Sequence, residues 1–133
     1  MGVMWKAKLL RISQFASAWL FWPGLVLIAW GELTPHPPDL GQVLVWDKAQ
    51  HFIAYFGLSA MATMVLGRGP RLAGAIFGII LFSGVLEILQ GLTGRDPELL
   101  DFAANSIGAL AGLGVGMLVF WWLNPLVGAK AQS

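Results

Sequence analysis

Residues 102–129 read FAANSIGALAGLGVGMLVFWWLNPLVGA, a run that contains no charged side chain. A helix that crosses the hydrocarbon core of a bilayer needs about 20 mostly apolar residues. Three further charge-free runs cover residues 12–31, 49–67 and 72–86, and the third is long enough only if it includes Glu87. The four runs predict an all-α membrane protein, a four-helix transmembrane bundle with helices at about 13–33, 48–67, 71–92 and 97–123.

Composition supports a membrane protein and excludes several other classes. The chain is 57% hydrophobic and 11% charged, whereas soluble domains carry about 25% charged residues. The apolar runs show no period-two alternation, which excludes a barrel of strands. A net charge of +1 gives no indication of nucleic-acid binding, and the absence of cysteine excludes disulfides and thiolate chemistry. The 133 residues are enough for a single domain, 1–133.

The basic residues predict how the bundle is oriented. In a four-helix topology six of them fall on one side of the membrane and only Lys48 and Arg95 fall on the other. The six are Lys6, Lys8, Arg11, Arg68, Arg71 and Lys130. Because cytoplasmic loops are enriched in Lys and Arg, we expect both termini to be cytoplasmic. The loops between helices one and two and between helices three and four then face outward.

Short motifs predict where two of the helices begin. Asp47 followed by Gln50 resembles a capping box at the start of helix two. Asp96-Pro97-Glu98 reads as the start of helix four, with a cap, a proline at the first position and an acid in the first turn.

Helix four also carries a stripe of small residues. Ala104, Gly108, Gly112 and Gly116 recur at a spacing of four, so they share one face where another helix can approach closely. We expect a helix of the same chain there rather than a second copy, because four short helices must first pack against each other.

Polar residues recur at helical spacing inside three of the predicted spans. They are Asp47, His51, Tyr55 and Ser59 on helix two, Ser83, Glu87 and Gln90 on helix three, and Asp101 and Asn105 on helix four. Each set lies in the outer half of its helix. Since polar groups in hydrocarbon are costly, we expect one shared polar cavity that opens to the outside.

Structural roles compete with functional ones at several of these positions. Asp47 and Asp96 can serve as helix caps, Tyr55 and Ser59 as packing residues, and Arg95 as a solvated turn residue. Glu87 is flanked by Leu86 and Ile88, so it must pair or take up a proton, and His51 is its expected partner. For Glu87, His51, Asp101 and Asn105 together, a functional cluster is favoured over a purely structural one.

The ordered set of polar residues resembles a known family. Asp47-Lys48-x-x-His51-x-x-x-Tyr55, then Glu87-x-x-Gln90, then Arg95, Asp101, Asn105 and Gly108, is similar to the VanZ-like family of bacterial integral membrane proteins. The resemblance covers residues from about 20 to 123. It implies a multi-pass protein of the bacterial cytoplasmic (inner) membrane with a role at the cell envelope. The family is named for a protein linked to resistance against teicoplanin, a lipid-tailed antibiotic, and the resemblance implies no particular reaction.

Three functions remain open at this point. The first is a site that binds or processes a lipid-linked cell-envelope molecule, where carboxylates and a histidine do acid–base work and Lys48 and Arg95 hold a phosphate. The alternative is a non-catalytic accessory subunit that packs against a larger bacterial membrane complex. A proton or ion pathway is the weakest, because the inner halves of helices two to four carry almost no polar residues.

A metal site is a further alternative with little support. His51, Glu87 and Asp101 offer ligand types that metals use, but the chain contains only two histidines and no cysteine. No metal or cofactor is therefore assigned. Membrane lipids are the expected surroundings of the chain.

Overall fold

Four long helices account for almost all of the structure. The computed structural model describes residues 2–35, 47–94 and 96–124, and within these ranges it contains no strand. The helices are α1 (Gly2–Leu33), α2 (Asp47–Leu66), α3 (Pro70–Gln90) and α4 (Leu99–Leu123). Each contains a segment that is long and apolar enough to cross a membrane. The predicted number and type of elements are therefore correct within the described residues.

Helix α1 begins earlier than predicted. It starts at Gly2 rather than near residue 13 and runs unbroken for 32 residues through Pro23. The prediction was wrong because charge ends a membrane span without ending a helix, and Lys and Arg are good helix formers. At 1.5 Å per residue α1 is about 48 Å long, which exceeds a hydrocarbon core of about 30 Å. One or both of its ends must therefore reach beyond the hydrocarbon.

Two glycines shape the tight turn between α2 and α3. Gly67 and Gly69 have φ angles of 68° and 105°, values that residues with a Cβ rarely adopt. Pro70 follows as the first residue of α3, where its missing N–H costs nothing. Helix α3 ends at Gln90 instead of the predicted residue 92. Leu92 and Thr93 lie in a turn closed by backbone hydrogen bonds to Leu89 and Gln90.

The start of α4 corrects another prediction. The helix begins at Leu99, and its N-cap residue is Glu98, whose backbone is extended. The side chain of Glu98 forms no capping hydrogen bond. Asp96 is therefore not the N-cap residue of α4, and Pro97 is not its first residue. Both precede the helix. The backbone N–H of Glu98 donates to Oε2 of Glu87 at 3.3 Å. A carboxylate from α3 thus binds at the N-terminus of α4, a contact that no local motif reveals.

The helices alternate in direction, so the start of α1 and the end of α4 meet. The rings of Trp5 and Trp122 pack edge to face with centroids 5.7 Å apart. The Lys6 ammonium lies 4.6 Å from the centroid of the Trp122 ring, within cation–π range. The opposite end of the bundle therefore combines the end of α1, the start of α2, the end of α3 and the start of α4.

Glycines bring α4 against α2. A Cβ built on Gly108 would overlap the backbone carbonyl of Phe52, and one built on Gly112 would overlap that of Phe56. At Gly116 a Cβ would lie 2.9 Å from Cβ of Thr63. The small-residue stripe therefore lies against a helix of the same chain, and the absence of side chains allows the two backbones to approach this closely.

The distribution of polarity is that of a membrane protein. The central core is small and apolar, with Tyr55, Leu58, Ile76 and Ile79 among its members. Ionisable and amide side chains are buried beside it, whereas large apolar side chains such as Trp19, Trp22, Phe77 and Leu118 cover the outer surface. Such extensive exposed apolar surface is stable in lipid and not in water. Together with the four long apolar helices, it indicates a multi-pass membrane protein.

Candidate functional site

Polar side chains from all four helices, most of them buried, meet at the end of the bundle opposite Trp5 and Trp122. We call this group the polar cluster. Its members are Glu32 of α1, Lys48, His51 and Tyr55 of α2, Ser83, Glu87 and Gln90 of α3, Glu98 at the N-cap of α4, and Asp101 and Asn105 of α4. Helical spacing explains the arrangement, because residues three or four apart share a face.

His51 lies at the centre of the polar cluster. Its Nδ1 is 3.0 Å from Oδ1 of Asn105 and 3.3 Å from Oε1 of Glu32. Its Nε2 is 3.7 Å from Oδ2 of Asp101, an ion-pair distance that is too long for a good hydrogen bond. The imidazole therefore has carboxylates on both sides, an arrangement that suits a group that accepts and releases protons.

Lys48 pairs with two carboxylates at the edge of the polar cluster. Its Nζ is 2.7 Å from Oε2 of Glu98 and 2.7 Å from Oδ1 of Asp101. Asp101 is buried, while Lys48 and Glu98 are partly exposed. Lys48 therefore links α2 to the start of α4 and has two anionic partners within the protein.

Amide side chains connect the remaining members. Asn105 donates from Nδ2 to Oγ of Ser83 at 2.8 Å while its Oδ1 faces His51, so it joins α2, α3 and α4. Gln90 donates from Nε2 to the backbone oxygen of Glu32 at 3.2 Å. These contacts make the polar cluster a connected network.

Two members, Glu32 and Glu98, were not predicted as site residues, and Glu32 is the buried one. The buried carboxylate lies beside His51, and its Oε2 accepts a hydrogen bond from Oη of Tyr55 at 3.4 Å. It lies one residue before the end of α1, and α1 was not among the helices predicted to contribute polar residues. Its position at the helix end that lies level with the other polar stripes is the signal that could have predicted it.

Glu87 has a different partner from the expected one. Oε2 is bound by the backbone N–H of Glu98, whereas His51 lies against Asn105, Glu32 and Asp101. Oε1 is enclosed and has no hydrogen-bond partner, and Glu87 as a whole is only 7% exposed. A buried carboxylate oxygen without a partner is energetically costly, and this marks Glu87 as a position of interest.

A groove between α3 and α4 runs beside the polar cluster. It encloses about 520 Å³ and is lined by Gly84, Glu87, Ile88, Pro97, Glu98, Leu99 and Phe102. Ile88 and Leu99 are 74% and 82% exposed, so the groove opens sideways at the apolar surface. Its volume falls in the usual range of ligand sites, about 300–1,000 Å³.

Some predicted site residues do not join the network or cannot be placed. The side chain of Asp47 and all of Arg95 lie outside the described residues, as does most of the loop between α1 and α2. Ser59 is buried, but its Oγ has no hydrogen-bond partner, which fits a packing residue. Tyr55 is fully buried and belongs both to the core and to the polar cluster.

The polar cluster contains both proton-exchanging groups and hydrogen-bonding amides. Among the described residues, no three His, Asp or Glu side chains are grouped so that they could hold a metal ion. Carboxylates and an imidazole in contact can exchange protons with a bound molecule.

Comparison with known proteins identifies no relative. No protein-family model, no curated protein and no solved structure matches this chain.

Proposed function

We propose that this chain is a small VanZ-like protein of the bacterial inner membrane whose polar cluster binds or processes the polar part of a lipid-linked cell-envelope molecule. In this proposal both termini are cytoplasmic and the polar cluster lies near the outer surface of the membrane. The apolar part of the molecule remains in the bilayer, and its polar part enters between α3 and α4.

The groove between α3 and α4 is the observation that carries this proposal. It connects an apolar surface, formed by side chains such as Ile88 and Leu99, with a buried carboxylate, Glu87. A molecule that is part lipid and part polar matches this combination of surfaces. A site that serves only to hold helices together needs no lateral opening and leaves no carboxylate oxygen without a partner.

The distribution of charge supports the proposed orientation. The end of the bundle opposite the polar cluster carries basic residues at the start of α1 and at the turn between α2 and α3. They are Lys6, Lys8, Arg11, Arg68 and Arg71. The positive-inside rule assigns such an end to the cytoplasm.

An accessory role in a larger membrane complex is the second candidate. The exposed surface of α1 favours this role. Only Ser17 and Glu32 of α1 are buried. The aromatic residues Phe15, Trp19 and Trp22 are largely exposed. Aromatic side chains are common at the centres of protein interfaces. In this alternative the polar cluster is structural and α1 contacts the partner.

Substitutions that remove titratable groups but keep size distinguish the two functions. Glu87→Gln and His51→Gln are expected to insert and fold, because glutamine still forms hydrogen bonds. Both are expected to abolish the activity of the protein in its host, since neither glutamine can exchange a proton and the first also lacks the negative charge. The measurement is complementation of a deletion strain, read as sensitivity to envelope stress or to antibiotics.

Ser13→Ala is the matched control. Among the described residues, the Ser13 hydroxyl bonds only to backbone carbonyls of its own helix, those of Leu9 and Leu10, so its loss should leave activity unchanged. Folded Glu87→Gln and His51→Gln proteins that complement as well as wild type would contradict the binding proposal. They would favour the accessory role, which predicts co-purification of a larger complex that depends on the exposed face of α1.

A further inference from the structure

We propose that the groove between α3 and α4 recognises an amphiphile with a primary ammonium head group, and that Glu87 is the counter-ion of that ammonium. This inference rests on the proposed function and specifies the chemical class of the polar part. It differs from the expectation that Lys48 and Arg95 would hold a phosphate.

The charges of the polar cluster favour a cation. Its described carboxylates are Glu32, Glu87, Glu98 and Asp101, and the described basic side chains among its members are Lys48 and His51. Lys48 is already bound by Glu98 and Asp101 at 2.7 Å each. A phosphate in the groove would meet the carboxylates of Glu87 and Glu98 and would compete with Asp101 for Lys48. An ammonium would meet complementary charge.

Glu87 has bonding capacity that the protein does not use. A carboxylate offers about four lone-pair sites, yet its one described hydrogen bond is the 3.3 Å contact from Glu98 to Oε2. Oε1 is enclosed without a partner, and the side chain lines the groove. A primary ammonium carries three donors, so an ammonium in the groove would satisfy Oε1 once rotation of the Glu87 side chain turns that oxygen toward it.

The rest of the groove matches an apolar chain. Ile88, Pro97, Leu99 and Phe102 supply most of its lining, and Gly84 lines it about one helical turn before Glu87. A Cβ at Gly84 would lie 3.3 Å from Cε2 of Phe102, so a larger side chain there would occupy the groove. The ammonium would then lie at the level of Glu87 while the attached chain extends along α3 and α4 into lipid.

The test uses the full-length chain purified in a neutral detergent and immobilised for equilibrium binding of radiolabelled dodecylammonium. Unlabelled dodecylammonium, dodecyl phosphate and dodecanol are compared as competitors. We expect saturable binding that dodecylammonium competes away, with the phosphate and the alcohol about tenfold weaker or worse, because a charge-assisted hydrogen bond distinguishes the head groups. Equal competition by all three would overturn the proposal, since it would mean apolar partitioning only.

Three variants locate the binding. Glu87→Gln should weaken dodecylammonium binding about tenfold or more, the usual effect of losing a hydrogen bond to a charged group. Gly84→Leu should block the groove, with Phe102 moving aside. Gly78→Leu, the same substitution on α3 where a Cβ meets nothing within 4 Å, should bind normally. Equal affinity in Gly84→Leu and Gly78→Leu would overturn the assignment of the site to the groove.

Failure of this inference is distinguishable from failure of the proposed function. If Glu87→Gln and His51→Gln lose activity in cells but dodecyl phosphate outcompetes dodecylammonium, the site remains and the ammonium assignment is wrong. If both variants complement fully, the proposed function fails, and the ammonium inference fails with it.

Discussion

Replacing Gly112 by alanine is expected to prevent the bundle from folding. The added Cβ would overlap the backbone carbonyl of Phe56, and it would lie 2.9 Å from the Phe56 carbonyl carbon. Because the obstacle is backbone in the middle of α2, no side-chain rotation relieves it and the two helices must move apart. Overpacking in a well-packed interior typically costs about 1–3 kcal/mol and occasionally more, and we expect this substitution to exceed that range.

Gly114→Ala is the control for this prediction. Gly114 lies two residues away on the same helix, and a Cβ there meets nothing within 4 Å. Both proteins are compared by yield of monodisperse material and by melting temperature in detergent. Equal yields and melting temperatures would mean that α4 does not pack on α2 through its glycine stripe.

Replacing Asn105 by alanine is expected to have the next largest effect on stability. The residue is fully buried and its amide connects His51 at 3.0 Å with Ser83 at 2.8 Å. Its removal leaves buried polar groups on α2 and α3 without that partner, which costs about 1–3 kcal/mol. Because polar groups within membranes can find substitute partners, we expect the lower half of that range, measured as free energy of unfolding in mixed micelles.

The adjacent Ser106→Ala substitution is the control for this prediction. Its Oγ is buried without a hydrogen-bond partner, so removing the hydroxyl relieves an unsatisfied group. Ser106→Ala should leave the free energy of unfolding unchanged or raise it, although both substitutions delete a polar group from the same turn of α4. If the two variants lose the same stability, the bridge through Asn105 contributes nothing specific.

The periodic features of the bundle were readable from sequence because they depend on local chain geometry. Charge-free runs predicted four helices, and the spacing of Gly108, Gly112 and Gly116 predicted a face for close helix contact. Polar stripes at equal depth on three helices predicted one shared polar cavity, although the expected partner of His51 was Glu87, and the structure places His51 3.0 Å from Asn105 instead.

The missed features depend on contacts between distant parts of the chain. No local pattern indicates that Glu87 binds the backbone of Glu98, because the two are brought together by the turn after α3. No pattern in the sequence singled out Glu32, because only packing of α1 beside α2 buries it against His51. The length of α1 was underestimated because charged residues end a membrane span but do not end a helix.

The proposed function requires the polar cluster to lie at the outer surface of the membrane, and cysteine labelling in intact cells tests this most directly. The chain contains no cysteine, so each introduced thiol is the sole reactive site. Leu92, 81% exposed in the turn next to the polar cluster, and Pro70, exposed in the turn at the opposite end, are replaced by cysteine in separate variants. We predict that a membrane-impermeant maleimide labels Leu92→Cys in intact cells and labels Pro70→Cys only after permeabilisation. The reverse pattern would place the polar cluster in the cytoplasm and contradict the proposed site.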